Sequence, residues 1–383
     1  MSDSSAGAAS RPLPYGRQSI DEEDIQAVVE VLRSDWLTTG PKVAEFERAF
    51  ANFCGAAEAV AVSNGTAALH AMMFALGIGP TDEVIVPTLT FAATANAAVF
   101  QGARPVFADV DPETLLIDPA SVESRITPQT RAIIAVDYAG QPCDYPALQA
   151  IADRHQIPLL ADACHSLGGG TPAGRVGTLA AMNAFSFHPV KPLTTGEGGM
   201  VTTNDANWAS RMRVFRNHGI TTDHRQREQN GAWFYEMVDL GFNYRLTDMQ
   251  CALGLRQLKK LPHWVQRRQQ LADLYREQLK SVPAVTPLAV RAGASHAYHL
   301  FVVRVGSDRQ RVFTELRGSG IGVNVHYIPV HLHPFYQRTF GTHPGLCPVA
   351  ETASQQILSL PMFPAMQDAD VERVVQALAQ AVA

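Results

Sequence analysis

EAVAVSNGTAALHAMMFALGIGPTDEVIVPTLTFAATANAAVFQGARPVFADV, residues 58–110, alternates between two rhythms. The β-branched run AVAVS gives way to the helical stretch TAALHAMMFALG, then come EVIVP, the helical TANAAVFQG, and RPVFADV. Strands separated by helices imply a parallel sheet covered on both faces, because the helix carries the chain back to start the next strand in the same direction. The alternation continues through RAIIAVDY (131–138), a helix from Tyr145 to His155, IPLLADA (157–163), AMNAFSF (181–187) and the glycine-rich return strand GMVTTN (199–204). We expect a large, doubly wound, mainly parallel α/β domain over residues 1–255.

On the amino-terminal side, about eighteen polar, Pro-containing residues read as a flexible arm. Behind Ser19, a candidate N-cap, Ile25, Val28, Val29 and Leu32 recur at helical spacing and predict a docking helix over Asp21 to Arg33. On the other side, LPHWVQRRQQLADLYREQLKSV (261–282) predicts a long amphipathic linking helix. Beyond it, HLFVVRV (299–305), DRQRVFTELRGSG (308–320), IGVNVHYI (321–328) and DADVERVVQALAQAV (368–382) have a β-α-β-α order. Residues 256–383 are therefore read as the linking helix and a smaller α/β domain.

The chain has 383 residues, 46% hydrophobic and 17% charged, with 31 Lys+Arg against 36 Asp+Glu for a net charge of -5. That length and apolar content exclude a disordered or disulfide-stapled chain. The mild acidity gives no general attraction to nucleic acid or anionic lipid, and we expect neither as a partner. Cys54, Cys143, Cys164, Cys251 and Cys347 are scattered and form no C-x-x-C pair, which fits free thiols in the cytoplasm. The start, MSDSSAGAASRPLP, has no apolar targeting core, and the most apolar later stretch, Val84 to Phe100, is broken by Pro87, Thr88, Thr90, Thr94 and Asn96.

In open α/β sheets ligands sit beyond the carboxyl ends of the strands, so the loops there are where chemistry is expected. Ser63-Asn64-Gly65-Thr66-Ala67-Ala68 turns a strand through glycine into a helix whose free N–H groups could cradle one phosphate. It is neither a P-loop nor a G-x-G-x-x-G fingerprint, which disfavours ATP and NAD, and Asn64 and Thr66 could equally be plain caps. Asp162 ends an apolar run and is followed by His165; it is either a helix-capping Asp or a buried acid that needs a positive partner such as a protonated ring nitrogen. Lys191 stands in SFHPVKPLTTGEGG (186–199), between prolines that fix the backbone. A lone lysine is ordinarily a solvated charge, but a desolvated one is a Schiff-base former. Together the three loops offer a phosphate seat, an acid for a pyridinium nitrogen and an amine for an aldehyde, the set that pyridoxal 5'-phosphate (PLP) requires.

WLTTGP (36–41), SNGTAALH (63–70), ADACHSLGG (161–169), SFHPVKPLTTGEGG (186–199) and LGFNYRLTDMQCALGLRQLKKL (240–261) occur in this order. In this the chain resembles the DegT/DnrJ/EryC1/StrS family of PLP-dependent sugar aminotransferases over nearly its whole length. The resemblance implies a fold-type I, aspartate aminotransferase-like transferase with Lys191 as the Schiff-base lysine. It implies Asp162 on the pyridine nitrogen and His165, where many relatives carry Gln, near the phenolic oxygen. It further implies Gly65, Thr66 and Ser186 at the phosphate, Phe91 on the ring face, and Asn243 reaching the phosphate of a neighbouring subunit, hence a homodimer with shared sites. His326 and Tyr327 are implied at the sugar.

HPVKPLTTGEGG, NHGIT (217–221) and GVNVHYIPVHLHPFY (322–336) resemble the pseudaminic-acid branch. That branch implies L-glutamate as donor and a UDP-linked 4-keto-6-deoxy amino sugar as acceptor. A sugar dehydratase of the same family replaces the lysine with His, which Lys191 argues against; a regulatory protein that kept the fold and lost catalysis would bind ligand without amino transfer. His326, His331, His333 and His343 lack a patterned carboxylate or Cys set, and no metal is expected. Arg211, Arg213 and Arg216 read as one solvated helix face, and Trp233 to Tyr235 as either core or a loop over the nucleotide.

Overall fold

The structure, a computed structural model, describes residues 11–222, 227, 231–306 and 308–383. Helices α1 (Glu22–Leu32) and α2 (Pro41–Cys54) precede β1 (Glu58–Val62), α3 (Gly65–Leu76), β2 (Glu83–Pro87), α4 (Ala92–Phe100) and β3 (Arg104–Ala108). Then follow α5 (Pro119–Ser124), β4 (Thr130–Val136), a 3₁₀ turn (Tyr138–Gly140), α6 (Tyr145–His155) and β5 (Leu159–Asp162). A small hairpin, β6 (Gly170–Thr171) and β7 (Gly174–Arg175), leads to β8 (Met182–Ser186), β9 (Gly199–Thr203) and α7 (Ala206–Phe215).

Seven of these strands form one sheet in the order β1-β9-β8-β5-β4-β2-β3. The return strand β9 runs antiparallel to both β1 and β8, while β8, β5, β4, β2 and β3 pair in parallel. The parallel strands are apolar along their length because helices cover both faces. Their carboxyl ends all open on one edge, which sets where the site can form.

The sheet core takes in Cys251, Leu258, Leu261 and Val265 of α8 (Asp248–Leu279). The same helix sends Leu271, Ala272, Tyr275 and Leu279 into a second core. It begins well before Leu261, at a capping box in which Thr247 and Gln250 exchange side-chain and backbone bonds. The second core is built on β10 (Val285–Pro287), β11 (Phe301–Val305), α9 (Arg309–Gly318), β12 (Ile357–Leu360) and α12 (Asp368–Val382). A 3₁₀ turn (Val330–Leu332), α10 (Pro334–Phe340) and α11 (Pro348–Gln356) lie between α9 and β12.

Four local expectations are corrected. The third strand of the small sheet is β12, antiparallel to β11, and not IGVNVHYI, which makes only isolated bridges as it carries His326 and Tyr327 toward the large sheet. Residues 11–18 include an ordered strap: Leu13 is buried, donates to Gly320 O at 2.9 Å and accepts from Gly322 N at 2.7 Å; residues 1–10 of the arm lie outside the described ones. Helix α1 is capped by Asp21 rather than Ser19, and its buried face is Asp24, Ala27 and Val31, leaving Ile25 and Leu32 exposed. The cause is Asp24, drawn inward by Gln257 Nε2 at 2.9 Å and Lys260 Nζ at 3.0 Å. Finally, the α7 arginines are engaged: Arg213 pairs with Glu58, Arg216 with Glu47, and Arg211 donates to Phe74 O.

Candidate active site

A cavity of about 670 Å³ opens at the carboxyl edge of the sheet. Gly65, Thr66, Phe91, Asp162, His165, Ser186, Lys191, His326 and Tyr327 all line it. Asn243 does not: it is exposed, in a bridge with Asn217, outside the cavity of its own chain.

The candidate phosphate seat is the start of α3. Asn64 is its N-cap, with Oδ1 accepting from Ala67 N at 2.8 Å, so the plain capping role is real. The cap uses the Ala67 N–H and leaves those of Gly65 and Thr66 pointing out of the first turn, where the helix dipole favours an anion. A Cβ on Gly65 would stand 2.8 Å from Ser186 Cβ and 3.3 Å from Cys164 Sγ. Only glycine lets the ends of β5 and β8 approach the helix start this closely, bringing the Ser186 hydroxyl beside it.

Asp162 is the last residue of β5, in register with Val136 and Ala184. It is buried, with Oδ2 accepting from Thr94 Oγ1 at 2.7 Å and Oδ1 from Cys164 N at 3.2 Å. It has no salt bridge among the described residues. A buried carboxylate held by one hydroxyl and one amide still favours a cationic donor above it.

Lys191 projects from the loop between β8 and β9. Phe187 anchors the loop base: it is fully buried, with ring centroids 5.6 Å from Phe46 and 5.5 Å from Phe50, and donates its N–H to Gly198 O at 2.8 Å. Burying such a ring stabilises the loop by about 1.5–3 kcal/mol. Lys191 N closes a turn on His188 O at 2.9 Å. Burial lowers the ammonium pKa below the ordinary lysine value, against the opposing pull of Cys164 and Asp162.

His165 places Nε2 3.1 Å from Tyr327 Oη, while its Nδ1 is buried without a partner among the described residues. Burial, then Lys191 and His326, push its pKa well down, so the ring is neutral. His326 is held by Ser359 Oγ, 2.8 Å from Nδ1, and burial pushes it down to about 4. Phe91, the N-cap residue of α4, is 60% exposed and its ring lies 6.1 Å from that of Tyr327. A large ring at the mouth of the cavity is placed to cover a flat ligand.

Four lining or supporting residues were not read from the sequence: Tyr15 on the strap, Asn324, His299, and Thr94 beneath Asp162. Thr94 had a local signal, sitting in the quoted TFAATANA beside Phe91, and so did Asn324, two residues before His326 in the quoted IGVNVHYI. Of the remaining histidines, His331 is buried between Thr88 Oγ1 and Glu351 Oε1, and His343 is exposed. Among the described residues, no group of three His, Cys, Asp or Glu could hold a metal ion. Trp233, Phe234 and Tyr235 are exposed on this chain, at 85%, 57% and 56%.

An unpaired buried acid, a helix start that a single Cβ would block, and a desolvated amine fit PLP in ring nitrogen, phosphate and aldehyde. The comparisons with known proteins agree on the cofactor. The profile of the DegT/DnrJ/EryC1/StrS aminotransferase family matches residues 18–379. The spore coat polysaccharide biosynthesis protein SpsC of Bacillus subtilis is 43% identical over 373 residues, 96% of each chain. Spr1654 of Streptococcus pneumoniae, solved in a PLP form, superposes with a TM-score of 0.91 at 30% identity, covering 97% of this chain and 98% of its own. PseC of Helicobacter pylori, an aminotransferase involved in the biosynthesis of pseudoaminic acid, superposes with a TM-score of 0.91 at 32% identity, covering 97% and 99%. With motif order, cavity and full-length likeness in agreement, the chain belongs to the DegT/DnrJ/EryC1/StrS aminotransferase family, whose cofactor is PLP.

Proposed function

We propose that this sugar aminotransferase transfers the amino group of L-glutamate to the C4 ketone of a UDP-linked 4-keto-6-deoxy-N-acetyl hexose. The product class is that of UDP-4-amino-4,6-dideoxy-N-acetyl-β-L-altrosamine transaminases. The convergence of Lys191, Asp162 and the first turn of α3 on one cavity carries the catalytic part. The acceptor rests on the wording of the Lys191 and His326 loops and on the likeness to PseC.

PLP, when bound, supplies an electron sink and a carrier for the amino group. Lys191 Nζ, whose lowered pKa makes the free amine accessible nearer neutral pH, takes the proton from Cα of the donor. In the second half-reaction it delivers a proton to C4 of the sugar. Asp162, fixed by Thr94 and the Cys164 amide, holds a proton at the ring nitrogen. Gly65, Thr66 and Ser186 bind phosphate at the helix start, and Phe91 orients the ring and excludes water from one face. His165, neutral, addresses the phenolic oxygen as a hydrogen-bonding group, and His326 and Tyr327 orient the sugar.

The reading includes a homodimer in the cytoplasm, with Asn243 of one subunit reaching the phosphate in the other. Its support is the exposure of Asn243 and of the apolar side chains between Trp233 and Phe242 on the isolated chain. Among the described residues, no helix is long and apolar enough to cross a membrane. The two cores support a cofactor domain and a small domain joined by α8, which passes from the first core to the second between Val265 and Leu271 rather than at residue 255. A second reading keeps the chemistry and changes the sugar to another 4-keto nucleotide sugar of a surface polysaccharide, favoured by the 43% identity to SpsC. Incubation with glutamate and a panel of 4-keto nucleotide sugars, with products identified by mass and NMR, tests both. Preferred amination of a sugar other than the UDP-linked N-acetyl hexose would replace the first reading by the second.

A further inference from the structure

The segment 296–300 closes one side of the cavity, and no step described above uses it. It is pinned from beneath by Arg268 of α8, a buried side chain whose Nη1 donates to Met362 O at 2.8 Å, Tyr298 O at 3.0 Å and His299 O at 3.3 Å. Ala297 N and Leu300 N donate to Gly140 O at 2.9 Å and Ala139 O at 3.1 Å. Gly140 has φ +106°, and a Cβ there would stand 2.9 Å from His165 O and from the amide nitrogens of Tyr298 and His299. Glycine is thus required for this segment to close on His165.

The framework presents the imidazole of His299. It is buried, borders the cavity, and its ring centroid lies 4.5 Å from that of His165 at an interplanar angle of 52°. Each ring has a buried Nδ1 with no partner among the described residues, while Nε2 of His165 faces Tyr327 Oη at 3.1 Å. A neutral imidazole has one N–H and one lone pair. The two nitrogens make no direct hydrogen bond to each other, but on neighbouring rings that both border the cavity one water can satisfy both, accepting from one and donating to the other.

We propose that His299 is a positioning residue whose Nδ1 is linked through one water to Nδ1 of His165, fixing the tautomer and ring angle with which His165 addresses Tyr327 and the cavity beside Lys191. This deepens the aminotransferase reading and rests on it. Burial disfavours an additional proton on either ring, as do Lys191 and His326 from the cavity side, and Arg268 beneath adds to this at His299. The pair therefore acts through hydrogen-bond direction rather than charge.

Three variants of the PLP-loaded enzyme test the pairing: His299→Phe keeps a ring without nitrogens, His299→Asn keeps a polar atom near the Nδ1 position, and His299→Gln moves it toward the Nε2 position. The readouts are the pH midpoint of the bound cofactor's visible band, and kcat and KM for glutamate. His299→Phe should shift the midpoint by about half a pH unit or more and lower kcat about tenfold with KM within about twofold, the signature of a misoriented group. His299→Asn should restore most of both, His299→Gln little. In a His165→Gln background, His299→Phe should add nothing further. An unmoved midpoint in His299→Phe, or an equal loss on both backgrounds, overturns the pairing. If His299→Phe does not fold, the order of the other two decides, and Gln outperforming Asn overturns it. Lack of any visible band in the parent protein would instead be a failure of the aminotransferase reading.

Discussion

Thr94 Oγ1 donates to Asp162 Oδ2 at 2.7 Å, and Thr90 Oγ1 lies 2.7 Å from Thr94 Oγ1. A chain of two hydroxyls, Thr90 from the loop after β2 and Thr94 from the first turn of α4, thus reaches the carboxylate at the end of β5. Asp162→Asn should still bind PLP yet lower the single-turnover rate about a hundredfold or more, since an amide cannot hold the ring-nitrogen proton. Thr94→Val removes one charge-assisted bond, about 1.5 kcal/mol, and should cost about tenfold in the same rate. Unchanged rates in Asp162→Asn would remove Asp162 from the mechanism.

Lys191→Ala loses both the attachment point and the proton carrier. Turnover with glutamate should fall by about a thousandfold or more, within the range for a positioned acid–base group. Borohydride treatment followed by mass spectrometry should fix cofactor to the parent chain and not to this variant. A cofactor adduct at any other lysine contradicts the assignment.

Gly65→Ala introduces a Cβ 2.8 Å from Ser186 Cβ, between two backbone-anchored elements that cannot swing away. Overpacking of this kind costs about 1–3 kcal/mol and fills the phosphate seat. The dissociation constant for PLP, from fluorescence titration, should rise about tenfold. Wild-type affinity would place the phosphate elsewhere.

Acid should destabilise the cofactor-free protein. Burial lowers the pKa of His70 and His326 to about 4 and of His296 to about 3, so the unfolded chain binds more protons than the folded one below the ordinary His value near 6.5. This stability is present in full above that value and is lost as pH falls toward about 4. Asp137, pushed up to about 6 by burial, acts in the opposite direction and offsets part of the effect. The melting temperature should drop between pH 7 and pH 5, and His70→Phe should flatten the dependence by up to about 1.4 kcal/mol per pH unit. A melting temperature that rises on acidification would show that these rings do not control the balance.

Shared active sites give a complementation test. Lys191→Ala and Asn243→Asp should each be inactive alone, the second because it sets a carboxylate against the partner's phosphate. After denaturation together and refolding, half of the dimers are mixed and one of their two sites is intact. About a quarter of parental activity should return. No recovery, with mixed dimers demonstrated by mass, would rule out a contribution of Asn243 across the interface.

The mainly parallel α/β class was legible because strand burial and helix crossover leave signals within a few neighbouring residues, as in the alternation over 58–110. Gly65, Asp162 and Lys191 were legible because each closes or follows such a strand. IGVNVHYI was misread as a strand, and ILSL at 357–360 was passed over, because pairing depends on which edge is free and not on local pattern. The order of Leu13 was invisible for the same reason: it depends on Gly320 and Gly322, some three hundred residues away.

The amino-acid sequence by itself thus determined the sheet, the strand ends and the residue types available for chemistry, since these follow from short-range periodicity and turn chemistry. Tertiary structure alone decided that Thr94 supports Asp162, that Gly140 admits the segment bearing His299, and that Asn243 lies outside its own cavity. Such relations are distances between parts of the chain far apart in sequence, settled by packing after the local elements have formed.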